Sequence, residues 1–207
     1  MSKNINKLLI FTKSPVLGEV KTRLQPDYTP EQSLKIHKKL MLNTLELSKK
    51  LDKCDIELCC APDRNTLFFL DCEKNFPITL SNQQGVDLGE RMAFSLSVAL
   101  QTWDKVVIIG TDCPEIDEDY IKQAIIALDE HDAVIGPAVD GGYVLLGLRK
   151  FSLELFSGFS WGSNTVLDQT RQVLNNLSWS YKELGIMYDI DRPEDLLRYE
   201  YLLNEIS

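Results

Sequence analysis

The chain has 207 residues, 44% hydrophobic and 26% charged, which suffices for one sizeable core in one domain spanning residues 1–207. A formal net charge of −9 argues against a general nucleic-acid binder and against binding to anionic membranes, since both need a cationic face. Any positive potential is therefore expected at one site of a cytoplasmic enzyme.

The apolar run Leu8-Leu9-Ile10 is too short for the hydrophobic segment of a signal peptide, and no small-residue cleavage site follows it. No window approaches the length of a membrane span. Cys54, Cys59, Cys60, Cys72 and Cys113 are odd in number and lack metal-ligand spacing, so they read as reduced thiols that fill the core.

Strand-like and helix-like segments alternate along the chain. Lys7–Lys13 reads as a buried strand. Thr29-Pro30-Glu31-Gln32 supplies an N-cap, a proline at the first helical position and a capping-box glutamine, opening a helix to about Leu51. Ile56–Ala61 follows as a strand, then a short helix capped by Asp63, a brief strand Ile78–Leu80 and a helix Leu88–Leu100. Lys105–Gly110 is continuously β-branched, the pattern of a parallel strand buried on both faces. Asp117 or Glu118 opens the next helix. Asp132–Gly136 and Tyr143–Leu148 read as strands joined through Asp140-Gly141-Gly142. A helix near Asn164–Leu174, a strand near Trp179–Glu183 and a helix from Pro193 complete the chain. This alternation predicts a three-layer α/β/α, Rossmann-like fold with a mainly parallel sheet, whose ligand lies beyond the carboxyl ends of the strands. The loops after Phe11, Gly110, Pro137 and Tyr188 are then the places for chemistry.

The first of these loops holds Lys13, Gly18, Lys21 and Arg23, a basic cradle suited to phosphate. Asp112, in Gly110-Thr111-Asp112-Cys113-Pro114, follows the central strand and could hold a hard cation, Mg2+ or Mn2+; a turn or helix-cap role is the alternative. Asp189 and Asp191 lie two apart in an extended segment and so project to the same side, although Asp191 could simply cap the helix at Pro193. Asp140-Gly141-Gly142 reads equally as a tight turn or a ligand contact. Gly85 and Gly89 would let a base or ribose lie against the backbone, with Asp87 as N-cap or ligand contact and Arg91 paired to phosphate or to an acid. His37 and His131 do not look catalytic, and Trp161 could wall an acceptor pocket ahead of a helix capped by Ser163.

Together the segments F-T-K-S-P-V-L-G-E-V-K-T-R-L, Q-G-V-D-L-G-E-R-M, G-T-D-C-P, G-P-A-V-D-G-G-Y-V-L-L-G-L and Y-D-I-D-R-P-E-D-L resemble a bacterial glycosyltransferase A-like family of the nucleotide-diphospho-sugar transferase superfamily. The likeness runs from Lys7 to about Leu197. It extends to the phospholactate and phosphoenolpyruvate guanylyltransferases, which share the basic loop, the central-strand aspartate, the D-G-G turn and the late D-x-D. It implies a GT-A fold and a divalent metal held by Asp112, Asp189 and Asp191. It also implies a phosphate loop of Lys13, Gly18, Lys21 and Arg23, and a nucleoside wall over Gly85–Gly89. Where most relatives carry Trp-Ser-Thr, this chain has Trp161-Gly162-Ser163-Asn164-Thr165.

The implied partners are a nucleotide or nucleotide-sugar and a small acceptor, with a homodimer compatible with the resemblance. Lys21 and Arg23 would clamp phosphate as catalytic groups, with Asp140 as a candidate base. Attack at an anomeric carbon makes the protein a glycosyltransferase, the reading the family description favours. Attack at the α-phosphorus of a triphosphate makes it a nucleotidyltransferase, the reading the basic loop favours. A nucleotide-sensing module without turnover and a plain scaffold are the non-catalytic alternatives.

Overall fold

The computed structural model describes residues 4–25 and 27–204. Its strands are β1 (Asn4–Lys13), β2 (Asp55–Ala61), β3 (Thr79–Asn82), β4 (Trp103–Gly110), β5 (Ala133–Pro137), β6 (Tyr143–Leu148) and β7 (Tyr181–Glu183). The helices are α1 (Pro30–Glu46), α2 (Leu67–Asn75), α3 (Leu88–Ala99), α4 (Glu118–Glu130), α5 (Val166–Asn176) and α6 (Glu200–Asn204). One sheet runs in the order β3-β2-β1-β4-β6-β5-β7. All neighbours are parallel except β6, which runs antiparallel to both β4 and β5. No helix among the described residues is long and apolar enough to cross a membrane.

Period-two alternation divides the two faces. In β1, Leu8 and Ile10 join Met41, Phe69 and Ile121 beneath α1, α2 and α4, whereas Leu9 and Phe11 join Met92, Leu96 and Leu174 beneath α3 and α5. In β4, Val107 and Ile109 face the first cluster and Val106 and Ile108 the second. Both faces of the central strands are thus covered by helices, which is why they read as unbroken apolar runs. A third, smaller cluster joins Leu24 and α1 residues Ile36 and Leu40 to Ile190, Leu196, Tyr199 and Leu202, docking the end of the chain beside the first loop.

Local signals hold at most helix starts. Thr29 and Gln32 make the reciprocal capping box of α1, and Asp87 and Asp117 cap α3 and α4 through the amides of Glu90 and Tyr120. Four expectations change. The first helix ends at Glu46 and continues only as a 3-10 turn, Leu47–Lys49. Thr66, not Asp63, caps α2, because the Asp63 carboxylate accepts instead from the backbone and side-chain nitrogens of Asn65. Thr165 occupies the N-cap of α5, with Ser163 bonded to it. The segment from Pro193 is a 3-10 helix to Arg198, and its start is tied by Asp195, which accepts from the amides of Asp191 and Arg192.

The β5–β6 turn fixes what faces the cleft. Gly136 pairs with Leu145 but Pro137 pairs with Tyr143, so Val144 is an extra residue, a β-bulge. Val144 and Leu145 both fall in the first cluster, and Tyr143 is turned onto the other face, against the α3 and α5 layer. Gly141 has φ +88, and a Cβ there would lie 2.2 Å from the Asn164 carbonyl oxygen. Its own carbonyl accepts from the amide of Leu167 at 3.0 Å, so the turn is seated on the start of α5. We expect Gly141→Ala to lose about 2–4 kcal/mol of stability from left-handed strain plus overpacking, read as a lower urea midpoint at unchanged m-value. An unchanged midpoint would show that the turn is not held this tightly.

Candidate active site

At the carboxyl ends of the parallel strands lies an open cavity of about 750 Å³. Lys13, Lys21, Arg23, Asp87, Asp112, Asp140, Asp189 and Asp191 all line it, together with His37, Arg91, Tyr143 and Trp161. Gly18, Gly85 and Gly89 do not; they shape the surrounding loops instead. Gly18 has φ +81 in the first loop. A Cβ on Gly85 (φ +139) would lie 2.7 Å from the Arg91 amide nitrogen, and one on Gly89 would lie 2.1 Å from the Trp161 indole nitrogen. The space over these two glycines is taken up by the chain itself.

Carboxylates far apart in sequence meet because the segment before Pro193 threads across the sheet end. Met187 donates to the Pro137 carbonyl at 2.9 Å, and the amide of Ile190 donates to the Asp112 carbonyl at 2.8 Å. Asp112 after β4 and Asp189 and Asp191 in the crossing segment thereby share one rim. Tyr199 secures the crossing, its hydroxyl donating to Glu115 at 2.9 Å.

Lys21 joins three elements. Its backbone is left-handed at φ 49, and its side chain is only 5% exposed. The ammonium lies 2.8 Å from Asp112 Oδ1 and also donates to the Ile190 carbonyl. Arg23 Nη1 meets Asp191 Oδ2 at 2.5 Å, an exposed pair that strengthens the hold of the guanidinium on its proton. Asp189 has the opposite environment: burial, the Asp140 charge and then the Asp112 charge push its carboxyl up to about 6. Asp140 Oδ1 accepts from the amide of Gly142 at 2.9 Å, an Asx contact within its own turn.

The end of β1 is braced from both sides. His37 Nε2 donates to the Lys13 carbonyl at 2.9 Å, and Gln83 Nε2 donates to the Thr12 and Cys59 carbonyls at 3.0 and 2.8 Å. Burial pushes the His37 pKa down, which favours the neutral ring. His37 was legible only as a helical histidine; nothing in the spacing revealed its contact with β1. Cys113, next to Asp112, is buried with its thiol pushed up to about 12, so it is packing and not a nucleophile. All five cysteines are unbridged.

Among the described residues no three His, Cys, Asp or Glu side chains are gathered closely enough to enclose an ion by themselves. Asp191 Oδ2 is paired with Arg23 Nη1. Burial above all, then the Asp140 and Asp112 charges, raise the Asp189 pKa against the opposing charge of Lys21, and carboxylate oxygens of this kind would suit a hard cation.

The fold is that of the nucleotide-diphospho-sugar transferases, and by its relatives this chain is a transferase. A protein of Desulfovibrio desulfuricans assigned to the nucleotide-diphospho-sugar transferases superposes with a TM-score of 0.83 at 27% identity, covering 97% of both chains. The 4-diphosphocytidyl-2C-methyl-D-erythritolsynthase of Anaerococcus prevotii shares the fold at a TM-score of 0.63 and 13% identity, over 97% of this chain and 99% of that one. The chain belongs to the family described as uncharacterized protein conserved in bacteria (DUF2064), whose model matches residues 44–163. A 2-phospho-L-lactate guanylyltransferase of Methanocaldococcus jannaschii is 30% identical over 200 residues, covering 95% of this chain and 83% of the relative.

Two outcomes are expected. The folded pKa of Asp189 lies above the ordinary aspartate value, so the fold favours the protonated form, and stability falls as pH rises from about 4 to about 6. In chelator-containing buffer, Asp189→Asn should therefore melt higher than the native protein at pH 7, the gap closing below about pH 4; a lower Tm at pH 7 would contradict the crowding. The Tyr143 hydroxyl is sealed from solvent and has no hydrogen-bond partner, although its residue lines the cavity. Tyr143→Phe should raise stability by about 1 kcal/mol in urea titration, because the removed group pairs with nothing.

Proposed function

We propose that this protein is a nucleotidyltransferase that joins the nucleoside monophosphate of a triphosphate to the phosphate of a small phosphorylated acid and releases pyrophosphate. The observation that carries the reading is the likeness to a 2-phospho-L-lactate guanylyltransferase along 95% of the chain. It is supported by a cavity that sets basic side chains against carboxylates at the sheet end. In this reaction a phosphate oxygen of the acid attacks the α-phosphorus. The bond from that phosphorus to the bridging oxygen breaks, and the electron pair leaves with pyrophosphate. GTP is the donor to test first, given the relatives' names.

The residues present fit such chemistry. A divalent ion, Mg2+ or Mn2+, held by Asp112 and Asp189 would neutralise phosphate charge when bound. Lys21 is a positioning residue: it holds the Asp112 carboxylate and the Ile190 carbonyl in one place, and so fixes the spacing between Asp112 and Asp189. Arg23 does the same for Asp191. Asp140 adds a fixed negative charge beside Asp189 and is not required as a base, since a phosphate monoester is already largely dianionic at neutral pH. Glycosyl transfer to a hydroxyl would call on a base to take the proton; that second reading rests on the likeness to the Desulfovibrio protein.

The decisive assay supplies Mg2+, 2-phospho-L-lactate and each of the four triphosphates in turn, and measures pyrophosphate. Release is expected with at least one triphosphate, and Asp112→Asn should lower kcat by about a hundredfold or more. Release of a nucleoside diphosphate from UDP- or GDP-sugars, with no pyrophosphate from any triphosphate, would overturn the proposal in favour of glycosyl transfer.

A further inference from the structure

Four permanent cations line the cavity: Lys13, Lys21, Arg23 and Arg91. Two of them are committed inside the protein. Lys21 is buried against Asp112 and the Ile190 carbonyl, and Arg23 is paired with Asp191. His37 adds no charge, being buried and committed to the Lys13 carbonyl. Among the described residues, Lys13 and Arg91 have no carboxylate within ion-pair distance. In a chain of net charge −9, an uncompensated guanidinium lining a cleft of about 750 Å³ is conspicuous.

The loop around Arg91 orients it. Gly85, at φ +139, folds the loop back onto the first turn of α3, and its carbonyl accepts from Arg91 Nε at 3.1 Å. Both acids beside Arg91 are spent on backbone amides: Asp87 accepts from the amide of Glu90 and Glu90 from that of Val86, each at 2.8 Å. One edge of the guanidinium is therefore fixed while its terminal nitrogens have no protein partner among the described residues. Gln83, on the same loop, reaches the Thr12 carbonyl at 3.0 Å, bracing this loop against the strand end that carries Lys13. A planar donor held on one edge and open on the other is suited to two-point binding of phosphate oxygens.

We propose that Arg91 is a phosphate-binding residue of the cavity, with Lys13 as its companion from β1. The proposal rests on the nucleotidyltransferase reading for the choice of phosphates, which are those of the triphosphate donor or that of the phosphorylated acid. The two sources share one chemistry and separate by experiment.

The test is calorimetric titration, which needs no turnover, of the native protein, Arg91→Met and Arg91→Lys with GTP, inorganic pyrophosphate, 2-phospho-L-lactate and L-lactate. Arg91→Met should weaken at least one phosphate-bearing ligand tenfold or more at unchanged Tm, and Arg91→Lys should restore only part of the loss, because an ammonium replaces a fork. Loss confined to GTP and pyrophosphate assigns Arg91 to the donor. Loss confined to 2-phospho-L-lactate, with L-lactate unaffected, assigns it to the acceptor. Affinities of Arg91→Met within twofold of native for every phosphate-bearing ligand overturn the proposal, as does a native protein that binds none of them. If the native protein binds GTP yet never releases pyrophosphate, the reaction proposed above fails while the Arg91 comparison still decides this one.

Discussion

The buried ammonium of Lys21 is the contact on which the arrangement of the site depends. It links the loop after β1, the loop after β4 and the crossing segment before Pro193 through one charged group that has almost no access to water. A lysine in that position is tolerable only if its donors are satisfied, and Asp112 and the Ile190 carbonyl satisfy them. The left-handed backbone at Lys21 carries the side chain into place, a conformation disfavoured for a residue with a Cβ and retained here at the rim of the cleft. Removing the ammonium would leave Asp112 facing Asp189 without a counter-charge. The fold and the electrostatics of the site are therefore not separable at this residue.

The charges around that contact are arranged in a chain of net charge −9. Of the acids lining the cleft, Asp112 and Asp191 are paired with cations, and Asp87 and Asp140 accept from backbone amides. Asp189 is instead pushed toward protonation. A carboxylate with a permanent protein partner has its pKa lowered instead.

Much of this was legible in the sequence wherever a signal is local. The capping box at Thr29, the β-branched run of β4 and the Asp-Gly-Gly turn each depend on neighbours a few residues away, and the strand and helix order follows from them. The convergence of Asp112 with Asp189 and Asp191 was legible too, because strand-end loops of a parallel sheet share one rim. What failed was competition between partners. Asp63 and Thr66 are both plausible caps, and only the conformation of Asn65 decides between them. Asp191 reads as a metal ligand or a helix cap, and its contact with Arg23, 168 positions away in sequence, was not legible. Gly85 and Gly89 signalled close approach correctly, but what approaches is Glu90, Arg91 and Trp161 of the chain itself.

The bulge at Val144 shows how such long-range facts can be set by a single residue. Strict alternation along β6 would turn Tyr143 to the same face as Leu145, beneath α1, α2 and α4. One extra residue reverses that, bringing the phenol round to the face that holds Met92 and Trp161. Bulges are enriched beside active sites because they re-aim a side chain without altering the rest of a strand. Here the re-aimed residue borders the same cavity as Arg91, with its hydroxyl closed in.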